Sequence, residues 1–287
     1  MYHDLEKSFS KMTKRAKKSA IRELLKLTNK PGLISFAGGL PAPCTFPSEE
    51  LKEITNEVLT KEANIALQYG TTEGDDLLRE QLTKRYQSMG LNITKENLVI
   101  TTSSQQALDF LGRVFINEGD KIIVELPSYL GGLQAFNAFG ADMEGIKSDE
   151  FGMCPVALEK KMAELSSLGK KPKFIYVIPD FQNPSGITMP ESRRKEIIDI
   201  AHKYEVLIVE DSPYRELRFD GEPQKTIYQL DEKGTTITLG TFSKIFVPGF
   251  RIGWIIAHPA IVDKFVTTKQ SVDLCTPAFV QRIAARY

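Results

Sequence analysis

Residues 238–254 read TLGTFSKIFVPGFRIGW, a lysine set among small, hydroxylated and apolar side chains with an arginine seven positions on. Just upstream, residues 235–241 (TTITLGT) are short and rich in β-branched side chains, the mark of a buried strand, and the chain turns at TFSK. Lys244 therefore falls just past a strand's C-terminal end. In open α/β sheets that edge is where ligands bind. A surface lysine keeps its ammonium in water. One that is partly desolvated at such an edge, or set near another cation, has a lowered pKa and presents the neutral amine that condenses with an aldehyde.

Outward from this stretch the same alternation repeats. Apolar runs at residues 98–102 (LVITT), 121–126 (KIIVEL), 141–147, 173–178 (KFIYVI), 206–210 (VLIVE), 236–239 and 252–257 read as strands. Helical patterns separate most of them, at residues 105–117, 129–139, 156–165 and 190–204. Short continuous apolar strands between amphipathic helices imply an α/β fold: a mostly parallel seven-stranded sheet with helices on both faces. Ahead of it, residues 7–27 read as an amphipathic helix stopped by TNKPG, and residues 32–47 (GLISFAGGLPAPCTFP) as an extended Gly- and Pro-rich segment. A helix from about residue 48 to 60 follows, with Ser48 as its expected cap and glutamates in its first turn. The chain thus divides into an N-terminal helix and extended segment, residues 1–47, and a large domain, residues 48–287.

Composition narrows the class. Lys plus Arg and Asp plus Glu both number 37, so no net field draws the chain to nucleic acid or to an anionic membrane. No apolar run approaches a membrane span. The three cysteines and three histidines are scattered without metal-ligand spacing, so neither a disulfide framework nor a metal site is expected. The basic N-terminus carries Asp4, Glu6 and Glu23, which transit peptides avoid. A cytoplasmic location is the expectation.

Several strands then deliver polar groups to one edge. After the first, TTSSQQ places Ser103, Ser104 and Gln105 at a helix start, where backbone N–H groups and hydroxyls seat a phosphate as well as they cap a helix. Neither GxxxxGK[ST] nor GxGxxG occurs, which argues against a nucleotide as the owner of that phosphate. Tyr129 follows the second strand and offers a flat stacking partner. Asn183, in QNPSG, can hydrogen-bond a phenolic oxygen, and VEDSPY supplies Asp211 and Tyr214. An acid at a strand's end needs a partner, and a protonated pyridine nitrogen suits it. Thr241, Ser243 and Arg251 surround Lys244, and arginine presents a planar fork to phosphate oxygens. Phosphate seat, stacking ring, phenolate partner, carboxylate and lysine together specify pyridoxal 5′-phosphate.

At these residues the chain resembles the class I/II aminotransferases of the fold-type I pyridoxal-phosphate enzymes, most nearly the LysN-like α-aminoadipate, kynurenine and broad-specificity subgroup. The resemblance runs over nearly the whole chain, through IRELLKLT, ISFAGGLPAP, ALQYGTTEG, TTSSQQALD, QNPSG, VEDSPYREL and GTFSKIFVPGFRIGW. It implies that Lys244 forms a Schiff base with pyridoxal phosphate and that Asp211 pairs with the ring nitrogen. Asn183 and Tyr214 would bind the phenolic oxygen and Tyr129 would stack on the ring. Ser104, Gln105, Thr241, Ser243 and Arg251 would hold the phosphate, with Ser103 standing where a glycine is commoner. Gly39 would approach the substrate carboxylate, Tyr69 would reach the neighbouring site of a homodimer, and Arg22 would meet an acidic substrate side chain. The implied reaction is ping-pong transamination between an amino acid and a 2-oxo acid such as 2-oxoglutarate. The family's smaller C-terminal domain, with its carboxylate-binding arginine, is not found here, so the chain reads as C-terminally truncated. Other pyridoxal-phosphate chemistry such as β-elimination or decarboxylation, a ligand-binding module, and an inactive fragment remain as alternatives.

Overall fold

The computed structural model describes residues 5–16, 32–34 and 38–287. Its strands are β1 (Leu98–Thr101), β2 (Lys121–Leu126), β3 (Asp142–Asp149), β4 (Gly152–Met153), β5 (Phe174–Val177), β6 (Leu207–Asp211), β7 (Thr236–Thr241) and β8 (Gly253–Ile256). They form one sheet in the order β1-β8-β7-β6-β5-β2-β3-β4. From β7 to β3 the pairing is parallel, while β8 runs antiparallel to both β7 and β1. The expected seven strands are all present. The eighth, β4, is a two-residue strand folded back antiparallel on the end of β3, too short to leave a periodicity in the sequence.

Burial on both faces explains why the strands read as continuous apolar runs. Along β5, Phe174 and Tyr176 face one core cluster while Ile175 and Val177 face the other; β2 divides likewise into Ile122 and Val124 against Ile123. Helices Ser103–Phe115, Leu130–Ala138 and Pro259–Gln270 cover the first face, and Pro155–Ser167 with Glu191–Tyr204 cover the second. Helices Asp76–Ser88 and Ala278–Arg286 close the β1–β8 end, where Leu78, Leu82, Ile100 and Trp254 share a third cluster. Ser48 does not cap its helix: it is the first helical residue of Ser48–Lys61, Pro47 occupies the cap position, and the Ser48 hydroxyl donates to Phe46 O. The expected N-terminal helix lies mostly outside the described residues; within them are a 3-10 turn at Leu5–Ser8 and a helix at Lys11–Arg15 capped by Ser10.

The strand order reverses between β2 and β5. From β2 the chain moves outward to β3, whereas from β5 it moves the other way through β6 to β7. Such a switch point opens a crevice at the strands' C-terminal ends. Tyr129, Asn183, Asp211 and Lys244 follow or end β2, β5, β6 and β7 there.

Candidate active site

Asp211 is the last residue of β6 and is buried. Its Oδ2 accepts a hydrogen bond from the Tyr176 hydroxyl at 2.8 Å, while its Oδ1, equally buried, has no partner among the described residues. Burial pushes its carboxyl up to about 6, although the bond from Tyr176 pulls the other way. A buried carboxylate oxygen left without a donor is costly. It fits a cationic N–H brought by a ligand. Tyr176 itself is held by Phe136, ring against ring at 5.3 Å, and its hydroxyl's proton affinity is raised well above normal by burial and by Asp211.

Lys244 stands beyond the end of β7, half-buried, and its Nζ reaches Gly39 O at 3.5 Å. Burial lowers its pKa, and the Arg251 guanidinium lowers it further. Both effects favour the neutral amine expected of a lysine at this edge.

A turn of hydroxyls and cations gathers beside it. β1 and β7 both flank β8 with Thr101 and Thr241 opposite Gly253, so the ends of β1 and β7 lie together. Arg251 bridges them, donating to Ser103 Oγ at 2.6 Å and to Ser243 Oγ at 3.4 Å, while Thr241 Oγ1 donates to Ser243 Oγ at 3.0 Å. Ser103 adopts a left-handed conformation with φ +65°. Glycine is the residue that adopts it without cost, and a side chain there costs about 1 kcal/mol; the bond to Arg251 offsets it. Ser104 and Gln105 follow in the first turn of helix Ser103–Phe115, and Gln105 Nε2 donates to Gly131 O, tying that turn to the segment after Tyr129.

On the other side of Asp211, Asn183 Nδ2 donates to the Tyr214 hydroxyl at 3.1 Å, so the two residues expected at one phenolic oxygen converge. The Tyr214 hydroxyl is raised by burial, with the bond from Asn183 opposing. Tyr129 packs over Gly131, where a Cβ would come within 2.5 Å of its ring.

Tyr69 is not drawn into this group; its side chain is 81% exposed on the same chain. Arg22 lies outside the described residues. Three residues escaped sequence reasoning. Tyr176 sits inside the apolar run KFIYVI, where its buried hydroxyl was the one signal of a polar partner. Asp180 and Arg194 are fully buried and paired at 2.9 Å, and Asp180 also meets Arg215 and Arg218, so the loop carrying Asn183 is tied to the loop carrying Tyr214. Neither had a recognisable spacing.

The family model described as aminotransferase class I and II matches residues 39–287, which take in every residue of the site named above except Arg22. The chain belongs to the class I and II aminotransferases. It is 53% identical over 288 aligned residues to aromatic-amino-acid aminotransferase 1 of Thermococcus litoralis, an alignment covering 99% of this chain and 68% of the relative. The 2-aminoadipate transaminase of Thermus thermophilus is 39% identical, covering 96% of this chain and 68% of that protein. Among solved structures, Pyrococcus horikoshii kynurenine aminotransferase in complex with PMP superposes with a TM-score of 0.94 at 50% identity, over 99% of this chain and 70% of that one. LysN of Thermus thermophilus, complexed with N-(5′-phosphopyridoxyl)-L-leucine, does so with a TM-score of 0.90 at 37% identity. This aminotransferase is accordingly a pyridoxal-phosphate enzyme that transfers amino groups. Among the described residues no helix is long and apolar enough to cross a membrane.

Proposed function

We propose that the protein moves an amino group between an α-amino acid and a 2-oxo acid, 2-oxoglutarate being the acceptor, in a ping-pong cycle in which Lys244 moves the proton. The observation that carries the reading is Asp211: a buried carboxylate at the switch-point crevice with one oxygen fixed by Tyr176 and the other without a donor among the described residues. When bound, pyridoxal phosphate supplies an aldehyde that takes up the amino group and a ring that accepts the electron pair left at the substrate's Cα. Asp211 would keep the ring nitrogen protonated through Oδ1. Lys244 Nζ would take the proton from Cα, for which its lowered pKa suits it. Asn183 and Tyr214 would donate to the phenolic oxygen, Tyr129 would stack on the ring, and Ser103, Ser104, Gln105, Thr241, Ser243 and Arg251 would hold the phosphate. Gly39, whose carbonyl Lys244 touches, lies where a substrate carboxylate would enter.

The names of its relatives support aromatic amino acids, 2-aminoadipate and kynurenine as donors. Arg22 is the residue we assign to an acidic donor's side chain, and Tyr69, exposed here, to the neighbouring site of a homodimer acting in amino-acid metabolism in the cytoplasm. The division into residues 1–47 and a cofactor-binding domain at 48–287 belongs to the same reading.

The test is the absorption spectrum of the chain with pyridoxal phosphate beside that of Lys244→Ala. The native chain is expected to show a band in the near-ultraviolet or visible that the variant lacks, and the variant to lose turnover. Identical spectra would sink the assignment of Lys244. Arg22→Ala is expected to lose the preference for 2-aminoadipate over neutral donors, and an unchanged ratio of kcat/KM refutes its role.

A further inference from the structure

Besides the bond from Arg251 to Ser103 Oγ, three contacts fix the turn at Thr102–Ser104. Thr101 Oγ1 donates to Ser103 O at 2.9 Å, and Gly253 lies so close that a Cβ would come within 2.6 Å of Ser103 C and Ser104 N. The third hold is Gln106, whose Oε1 accepts from the Thr102 N–H at 2.7 Å.

That third hold leads into a polar cluster outside the site. Gln106 Nε2 donates to Asp273 Oδ2 at 2.7 Å, and Thr102 Oγ1 donates to the same oxygen at 3.1 Å. Behind them stands Lys269, whose side chain is fully buried near the end of helix Pro259–Gln270. Its Nζ donates to the two Asp273 oxygens at 2.7 and 2.9 Å, to Thr276 Oγ1 at 3.0 Å and to Gln106 Oε1 at 3.3 Å. Burial lowers the Lys269 ammonium's pKa, whereas Asp273, which burial alone would raise, is held below its usual range by Gln106 and Lys269.

A buried ion pair is weak support for stability, because apolar packing of the same volume often does as well. What apolar packing cannot do is fix the direction of two hydrogen bonds. Here those bonds end on the backbone N–H and the hydroxyl of Thr102, one residue before the left-handed Ser103. We propose that the Lys269–Asp273 pair, acting through Gln106 and Thr102, positions the Ser103–Ser104 turn to receive the phosphate of the cofactor. The proposal rests on the reading of that turn as the phosphate seat. Lys269 and Asp273 touch neither cofactor nor substrate in it; they are positioning residues, and their effect is confined to the phosphate.

The test compares two ligands that differ by that phosphate. Dissociation constants for pyridoxal phosphate and for pyridoxal are measured by quenching of the single tryptophan, Trp254, in the 287-residue chain and in Gln106→Leu and Lys269→Met. Both variants are expected to weaken pyridoxal phosphate roughly tenfold, about what one or two misdirected hydrogen bonds cost, and to leave pyridoxal within about twofold. Gln106→Leu buries no lone charge, so it decides the matter if Lys269→Met does not fold. Equal weakening of both ligands, or of neither, overturns the positioning role. An unmodified chain that binds pyridoxal as tightly as pyridoxal phosphate refutes the phosphate seat itself, a separate failure.

Discussion

Replacing Asp211 with Asn removes a carboxylate that burial disfavours and that the proposed function pairs with the cofactor's ring nitrogen. Its folded pKa of about 6 lies above the unfolded value near 3.8, a gap of about 2 units and on the order of 3 kcal/mol. The pKa is raised, so the folded state binds this proton more tightly than the unfolded one. The stability this contributes is full below pH 3.8 and is lost as pH rises through about 6. Between pH 5 and 7.5 the cofactor-free protein should lose on the order of 1 kcal/mol on this account, and Asp211→Asn should not. Glu125, also buried and pushed up to about 7 chiefly by burial, adds a loss of its own over the same range, but it is present in both proteins and cancels in the difference. The assay is urea denaturation of both proteins at the two pH values, without and with pyridoxal phosphate. With cofactor the native protein's loss should shrink, because a cation at Oδ1 lowers the carboxyl's pKa again. Equal slopes in the cofactor-free proteins would refute the argument, since Asp211 would then not carry the desolvation that its unpartnered oxygen implies.

Two further changes probe the frame around it. Ser103→Gly relieves the left-handed backbone, worth about 1 kcal/mol, and forfeits the bond to Arg251, so stability by urea denaturation should move by less than about 1 kcal/mol; a loss beyond about 2 kcal/mol would show that the hydroxyl matters more than the strain. Asp180→Ala leaves the buried Arg194 with backbone carbonyls as its nearest acceptors, at Met189, Lys225 and Pro179, and should destabilise by about 3 kcal/mol. A change under about 1 kcal/mol in the same assay would mean that those carbonyls, with the buried Glu210 carboxylate 3.9 Å away, suffice.

Much of the site could be read from the chain because its members follow strand ends. Ser103, Tyr129, Asn183, Asp211 and Lys244 each come at a switch from an apolar run to a polar turn, and a parallel sheet brings such ends to one edge by its connectivity. The strands themselves were legible for a related reason: burial on both faces leaves few polar interruptions inside them. The two-residue β4 and the Pro47 cap were not, since each depends on one or two backbone contacts without periodic trace. Nor were the partners of the site residues. Tyr176 is 35 residues from Asp211, Lys269 is 163 from Gln106, and Asp180 is 35 from Arg215.

What the sequence determined alone, then, was the alternating architecture and the inventory of chemical groups at its edge, because apolar periodicity and chain order are local properties. Only the tertiary structure decided that β8 enters antiparallel between β7 and β1, that Asp211 keeps one oxygen without a partner among the described residues, and that a buried lysine stands behind the Ser103 turn. The physical reason is the same for all three. Strand order, desolvation and hydrogen-bond pairing between distant residues depend on which surfaces meet when the layers pack, and no single segment carries that information.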